Sequence, residues 1–597
     1  MKYQKRIKKY EEINLKQKKT ADKISNLRLG LFLLSIVASI ILWSIEFYFV
    51  FAACILCFVV GFIYLITLHN KILERVKYSS LLKEVNQVSL KRIQGQWGSF
   101  EDTGEEFIDI DHGFSYDLDV FGKGSVFQYI NTTKTVMGRQ KLKKVLTEIP
   151  ESLDAIKQRQ SAITELSAKL KMRQRLAAEG FVSKSVKETE PFVDWVYERM
   201  PFFQKKEVVI AFRVLPVLTV AGCYLGFVAR FINIFIPVVL LAFNLILLRI
   251  NRKGRAEILN MAENYKDDLQ VFYKILEVIE KNKFSSGYLS GLKGKLYNKE
   301  GLSASKQLKN LFKIADSISS RHAPFYILID MLVLWDYQTL ISLEAWKEKS
   351  GAYVKDWLDT IGEFEYLSSL SVLGHDNPDW VVPHIYNKTP EITAVNMGHP
   401  LILGNRVCNN LTINQTSRVL LITGSNMSGK STLLRTVGIN LVLAYAGTPV
   451  CADKFSCSLM EIYTCMRVSD NLEKSISSFY AELIRIKSIV EAVEGGKQLI
   501  FLLDEIFKGT NSLDRHTGAR FLIKKLIKST CIGLVSTHDL ELESMEKETS
   551  EKVKNYHFTE YYKNNEICFD YKLKPGVCPT RNARYLMRLA GIEIDEL

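Results

Sequence analysis

Apolar and polar positions along this chain are organised on three length scales. The longest appears first. Residues 29–44 and 47–68 are almost wholly apolar, with Glu46 at their junction, and residues 208–228 and 231–248 repeat the arrangement with Arg230 in the turn. A spanning helix needs roughly 20 predominantly apolar residues, so each pair predicts a transmembrane helical hairpin, over 27–68 and over 207–250. Arg213 can snorkel toward an interface and Pro216 can kink its helix. A cleaved signal peptide would be shorter and would lack the second span. Lysine and arginine crowd the flanks, at Lys71, Arg75 and Lys77, at Lys205 and Lys206, and at Arg249, Arg252 and Lys253. The positive-inside rule then predicts a multi-pass cell-membrane protein with four spans, with both termini and the intervening 69–206 in the cytoplasm. A soluble bundle of very apolar helices is the alternative.

On the intermediate scale, apolar residues recur at three- and four-residue spacing through 256–279 and 311–343, which predicts a helical region over 251–375. The shortest scale occupies the C-terminal part. Residues 419–422, 499–503 and 532–535 are apolar runs of four or five residues, the pattern of parallel strands buried on both faces. They predict an α/β domain over 376–597.

The residues that follow those three runs carry the chemistry. Directly after the first stands Gly424-Ser425-Asn426-Met427-Ser428-Gly429-Lys430-Ser431-Thr432, and then the helix-like Leu433-Leu434-Arg435. A strand, a glycine-rich turn and a helix N-terminus form a P-loop, whose backbone N–H groups surround nucleotide phosphates. Lys430 is placed to reach the terminal phosphates and Ser431 to hold Mg²⁺, so the expected ligands are ATP and Mg²⁺. The second run ends in Asp504-Glu505, assigned to the metal and to the attacking water respectively. The third runs into Ser536-Thr537-His538, which places His538 at the sheet edge where α/β folds bind ligands, as a candidate sensor of the γ-phosphate. Between them, the hydroxyl residues of Ser475-Ile476-Ser477-Ser478-Phe479 read as an N-cap for a helix carrying Glu482.

Taken together these motifs resemble the MutS ATPase family. The P-loop is close to that family's G-P-N-M-G-G-K-S-T, with Asn426 and Met427 retained, and Ser477-Ser478-Phe479 with Glu482 is similar to its S-T-F-x-x-E signature. Asp504-Glu505-Ile506 followed by Gly509-Thr510-Asn511-Ser512 looks like its D-E-I-G-R-G-T-S-T, Ser536-Thr537-His538 its A-T-H, and Gly398-His399-Pro400 its R-H-P. Upstream, Asn131-Thr132-Thr133-Lys134-Thr135-Val136-Met137-Gly138-Arg139 is similar to the entry of the family's helical core, and Ile156-Lys157-Gln158-Arg159-Gln160 to its continuation. The resemblance implies an ABC-type, MutS-like α/β P-loop ATPase domain joined to an α-helical core and lever domain, here with two transmembrane hairpins added. It also implies a homodimer in which Ser477 or Ser478 of one chain reaches the other's γ-phosphate, and Tyr571 as an adenine contact. The family's mismatch-reading F-x-E element has no counterpart; Gly104-Glu105-Glu106-Phe107 has the wrong order. The second hairpin stands where the family carries its DNA clamp.

Composition changes this picture in two ways. The formal net charge of +14 favours anionic partners, DNA or a phospholipid surface, and residues 1–26 read as a solvated basic arm. The ten cysteines have spacings unlike a zinc site and read as reduced thiols. Two functions remain open at this point: a membrane-anchored MutS-type ATP hydrolase working as a dimeric clamp on mismatched or branched DNA, or an ATP-controlled membrane switch without nucleic acid. An ABC transporter is disfavoured by the absence of L-S-G-G-Q.

Overall fold

The computed structural model describes residues 2–181, 188–467, 478–508, 510–563 and 566–577. It begins with two long antiparallel helices, Lys2–Ser44 and Tyr48–Ile93, of 43 and 46 residues. At 1.5 Å per residue each is about 65–70 Å long, more than twice the thickness of an apolar bilayer core. The distal halves expose apolar side chains such as Leu34 and Phe49. The proximal halves are pinned to each other by polar contacts: Asn14 Nδ2 donates to Val76 O at 2.8 Å and to Ser79 Oγ at 3.0 Å, and Lys83 pairs with Glu11 at 2.7 Å. Residues 2–26 of the stretch expected as a solvated arm are thus part of a helix. Their lysines stay exposed while Tyr3, Ala21 and Ile24 are buried.

Among the described residues three helices are long and apolar enough to cross a membrane, Lys2–Ser44, Tyr48–Ile93 and Lys206–Val228, and up to five if each of two bent pairs counts as one span. One bent pair is Phe235–Arg249 with Arg252–Asn264, at 73°; the other is Tyr326–Val333 with Trp335–Asp376, at 68°. Lys206–Cys223 runs on into a π-helical turn, Tyr224–Val228, and packs closely against Phe235–Arg249. A Cβ on Gly226 would lie 2.7 Å from Pro237 Cγ, so glycine sets the approach. The helical periodicity of 311–343 is interrupted: Ala304–Ile318 ends, Pro324 denies the next turn an N–H, and Leu334 adopts a left-handed conformation before Trp335–Ser350 begins.

Around these elements a helical core gathers on the 23-residue Val354–Asp376, whose Trp357, Phe364 and Leu367 are fully buried. Its Glu365 carboxylate accepts from the backbone N–H of Lys134 at 3.0 Å and of Thr135 at 3.2 Å, and from the Thr135 hydroxyl. Thr135 in turn caps the helix Val136–Thr147 by accepting from Gly138 N at 3.2 Å. The threonine-rich entry motif is therefore a helix start clasped to a carboxylate more than two hundred residues away. The first helical pair docks here too, through the buried Arg92, whose Nε donates to Tyr129 O at 2.7 Å.

Among its described residues the α/β part holds two main sheets and a separate antiparallel ribbon of β10 (Glu560–Lys563) and β11 (Glu566–Phe569). Strands β1 (His384–Tyr386), β2 (Ile392–Met397), β3 (Asn409–Ile413) and β5 (Lys454–Ser458) form one, in the order β1-β5-β2-β3. The other contains β4 (Val419–Thr423), β6 (Glu461–Cys465), β7 (Leu499–Asp504), β8 (Ile532–Ser536), β9 (Val553–His557) and β12 (Lys574–Pro575), in the order β12-β9-β4-β8-β7-β6. All neighbouring pairs of the second sheet except β12 with β9 are parallel. Every residue of β4 and β8 is buried, and only Asp504 of β7 reaches toward the surface, as the three apolar runs predicted.

Candidate nucleotide site

Three parallel strands deliver the site. β4 leads into the glycine-rich turn, β7 ends at Asp504 and β8 at Ser536, so their C-terminal ends meet at one sheet edge. The turn needs left-handed backbone at Gly424, Met427 and Gly429, with φ of 146°, 66° and 107°. Gly424 is also a close-approach position, because an added Cβ would stand 2.8 Å from Ser428 Oγ and 3.1 Å from Phe558 O. Gly429 then caps the helix Lys430–Ala446.

Lys430 is buried, and its Nζ donates to Gly424 O and Ser425 O, both at 3.0 Å. Glu505 Oε1 lies 4.0 Å from that nitrogen and 2.7 Å from His538 Nε2, while Oε2 meets Lys508 Nζ at 3.0 Å. Burial alone would raise the Glu505 carboxyl, but Lys508, His538 and Lys430 outweigh it and hold it below the usual carboxylate range. Burial and the neighbouring Lys430 push His538 down against the opposing pull of Glu505. Burial also lowers Lys430. A carboxylate, an imidazole and a partly desolvated ammonium therefore converge beside the P-loop. Asp504 accepts from the Ser536 hydroxyl, which fixes its carboxylate across the β7–β8 step. Ser431 and Asp504 supply hard oxygen donors, a set chemically suited to Mg²⁺.

A cavity of about 460 Å³ opens beside the P-loop, lined among others by His399, Arg406, Val407, Asn426, Thr432 and Tyr571. Tyr571 Cδ1 would be 3.2 Å from a Cβ at Gly429, so the structure brings this distant residue to the turn. Ser477 lies outside the described residues, and Ser478 opens the helix Ser478–Glu494 without a described side chain.

Several contacts have no local signal in the sequence. Glu482 is buried and accepts from Phe507 N, holding the backbone just past Glu505, where Glu505 and Phe507 both have positive φ. Lys508, three residues beyond Glu505, supplies the second cation. Asp117, far upstream, accepts from Thr464 Oγ1 at 2.8 Å, Met466 N at 2.9 Å, Arg467 N at 3.1 Å and Arg485 Nη1 at 2.9 Å. Asp119 pairs with Arg467 at 2.5 Å and with Arg435 at 3.8 Å. The segment around 117–119 thus ties together the P-loop helix, the end of β6 and the helix that carries Glu482.

This fold and constellation define an α/β P-loop domain with an acid-ended strand, β7, and a histidine just past the neighbouring strand β8. Residues 420–593 match the family model described as MutS domain V, and the relatives that follow are similar to this chain. Over 239 residues the chain is 28% identical to the DNA mismatch repair protein MutS of Lactobacillus johnsonii, covering 39% of this chain and 27% of that protein. Over 218 residues it is 32% identical to the DNA mismatch repair protein MSH6 of Arabidopsis thaliana, covering 34% and 16%. The corresponding figures for MutS of Methanosarcina mazei are 26% over 272 residues, 44% and 30%. The chain spans less than a third of the length of these curated relatives.

Proposed function

We propose that this protein is a membrane-anchored ATP hydrolase of MutS type. The convergence of Lys430, Glu505 and His538 on the P-loop carries the reading. ATP phosphates lie on the turn with Lys430 against the terminal ones. Glu505, kept ionised by its cations, takes a proton from water as the water oxygen bonds to the γ-phosphorus and the bond to the bridging oxygen breaks, leaving ADP and phosphate. His538 Nε2–H donates to Glu505 and senses the γ-phosphate. Mg²⁺, held by Ser431 and Asp504, would neutralise phosphate charge. Tyr571 stacks on the adenine.

Two copies form the working unit, with Ser477 or Ser478 of one reaching the γ-phosphate of the other. Four spans in two hairpins anchor the dimer, with the ATPase and both termini in the cytoplasm. DNA is the proposed ligand of the clamp, supported by the net charge of +14 and by the names of the relatives. One observation favours the second reading, an ATP-controlled membrane switch. Phe107, the aromatic nearest in sequence to a mismatch-reading element, is buried against Phe121 and Phe127 and cannot stack on a base. Binding of detergent-solubilised Glu505→Gln protein to homoduplex, mismatched and branched DNA, with ATP or ADP across a salt series, separates the two. Nucleotide-dependent binding that survives physiological salt supports the clamp; binding that salt removes whatever the nucleotide supports the switch.

A further inference from the structure

The helix Tyr326–Val333 is built inside out. Its inward positions are Tyr326 and Asp330, both buried, whereas Ile327, Leu328 and Ile329 face outward with the preceding Phe325. Phe325 and Ile327 are 71% and 74% exposed. A helix folded against water puts its polar face outward, so the inversion requires an apolar surrounding. The inward polar groups are satisfied: Tyr326 OH donates to Asp336, and Asp330 Oδ1 accepts from Asp336 N at 3.0 Å. Polar groups turned toward the protein and apolar ones turned away is the arrangement expected at membrane depth.

The helix is also continuous with the second hairpin. Asn244, buried in Phe235–Arg249, donates from Nδ2 to Met331 O at 2.9 Å and to Thr219 Oγ1 at 3.1 Å, joining three apolar helices at one point. Asn244 stands about 8 Å along its helix from Arg249, at 1.5 Å per residue. The basic residues Arg249, Arg252 and Lys253 mark the interface end of that helix. Eight residues extend only about 12 Å and cannot cross a layer of about 30 Å. On the other side, Arg255 ties the joint to the helical core: Nη2 donates to Leu248 O at 2.6 Å, and Nε pairs with Asp336 at 3.3 Å.

We infer that Phe325–Val333 is a lipid-inserted wedge, entering the same leaflet as the cytoplasmic end of the second hairpin, with Phe325, Ile327, Leu328 and Ile329 against acyl chains. This rests on the membrane reading above and adds to it a third, non-spanning membrane element, attached directly to the Trp335–Asp376 helices that lead to the ATPase.

The test places the photoreactive residue p-benzoylphenylalanine at Ile327, at Val239 on the outward face of Phe235–Arg249, or at the exposed Thr517 of the α/β part. Each full-length variant is reconstituted in phosphatidylcholine–phosphatidylglycerol vesicles, illuminated and read by mass spectrometry. Lipid adducts at 327 and 239, with none at 517, are expected. Adducts at 239 but none at 327, or a crosslink from 327 to a second protein chain in place of lipid, would overturn the wedge and leave the membrane reading standing. Absence at both 327 and 239 would remove the membrane reading along with it.

Discussion

Replacing Asp117 by asparagine should loosen the joint between the helical core and the ATPase without touching the nucleotide pocket. The Asp117 side chain is fully buried; Oδ2 accepts from Thr464 Oγ1, Met466 N and Arg485 Nη1, and Oδ1 from Arg467 N. An amide can reproduce only one of those oxygens. Its better orientation keeps the three bonds of Oδ2 and turns an NH₂ toward Arg467 N, leaving that N–H unsatisfied at a cost of about 1–3 kcal/mol. Loss of the charge opposite Arg485, which is partly solvent-screened, adds about 1 kcal/mol. The total of about 2–4 kcal/mol corresponds to hydrogen exchange roughly 30- to 900-fold faster at the end of β6, at 1.36 kcal/mol per factor of ten. Exchange–mass spectrometry on peptides covering 461–467, with and without the substitution, measures it. ATP binding should persist, because Lys430 and its carbonyl partners are unchanged. Equal exchange in the two proteins would refute the view that Asp117 holds this joint together.

His399 gives a pH prediction. Burial, with Arg435 and Arg406 nearby, pushes it down to about 4, against about 6.5 in an unfolded chain. Below 6.5 the unfolded chain takes up a proton that the folded protein refuses, so this contribution to stability is complete above about pH 6.5 and declines as pH falls toward 4. His399→Gln should flatten that part of the stability profile; an unchanged slope between pH 6.5 and 4 would contradict it. The trans arrangement predicts that a Ser477→Ala/Ser478→Ala chain mixed with a Lys430→Ala chain regains about one composite site per dimer, read as phosphate release, whereas no recovery counts against it.

Much of the ATPase part was legible because its signals are local. Runs 419–422, 499–503 and 532–535 became β4, β7 and β8, and the residues immediately after each run meet at one sheet edge. Two kinds of feature were not legible. Asp117 and Arg467 are separated by 350 positions, and no periodicity links them. Phe325 to Val333 reads as an ordinary apolar run, and only the burial of Tyr326 and Asp330 shows which side faces out. The N-terminal lysines raised a related difficulty. A charged helical face and a solvated coil have similar composition, and the burial of Tyr3, where Tyr3 OH donates to Asp376 at 2.5 Å, depends on a partner at the far end of the core. Tyr571 is intermediate: only the resemblance pointed to it, and the fold placed it beside Gly429.

The central claim is that Lys430, Glu505 and His538 form one hydrolytic site. Its most direct test is Mg²⁺-dependent phosphate release from ATP by the full-length protein in detergent, with Lys430→Ala and Glu505→Gln measured alongside together with nucleotide binding. The expected result is turnover in the unaltered protein, loss of both binding and turnover in Lys430→Ala, and retained binding with kcat reduced about 10²–10⁴-fold in Glu505→Gln. Turnover that neither substitution changes would contradict the assignment of the site.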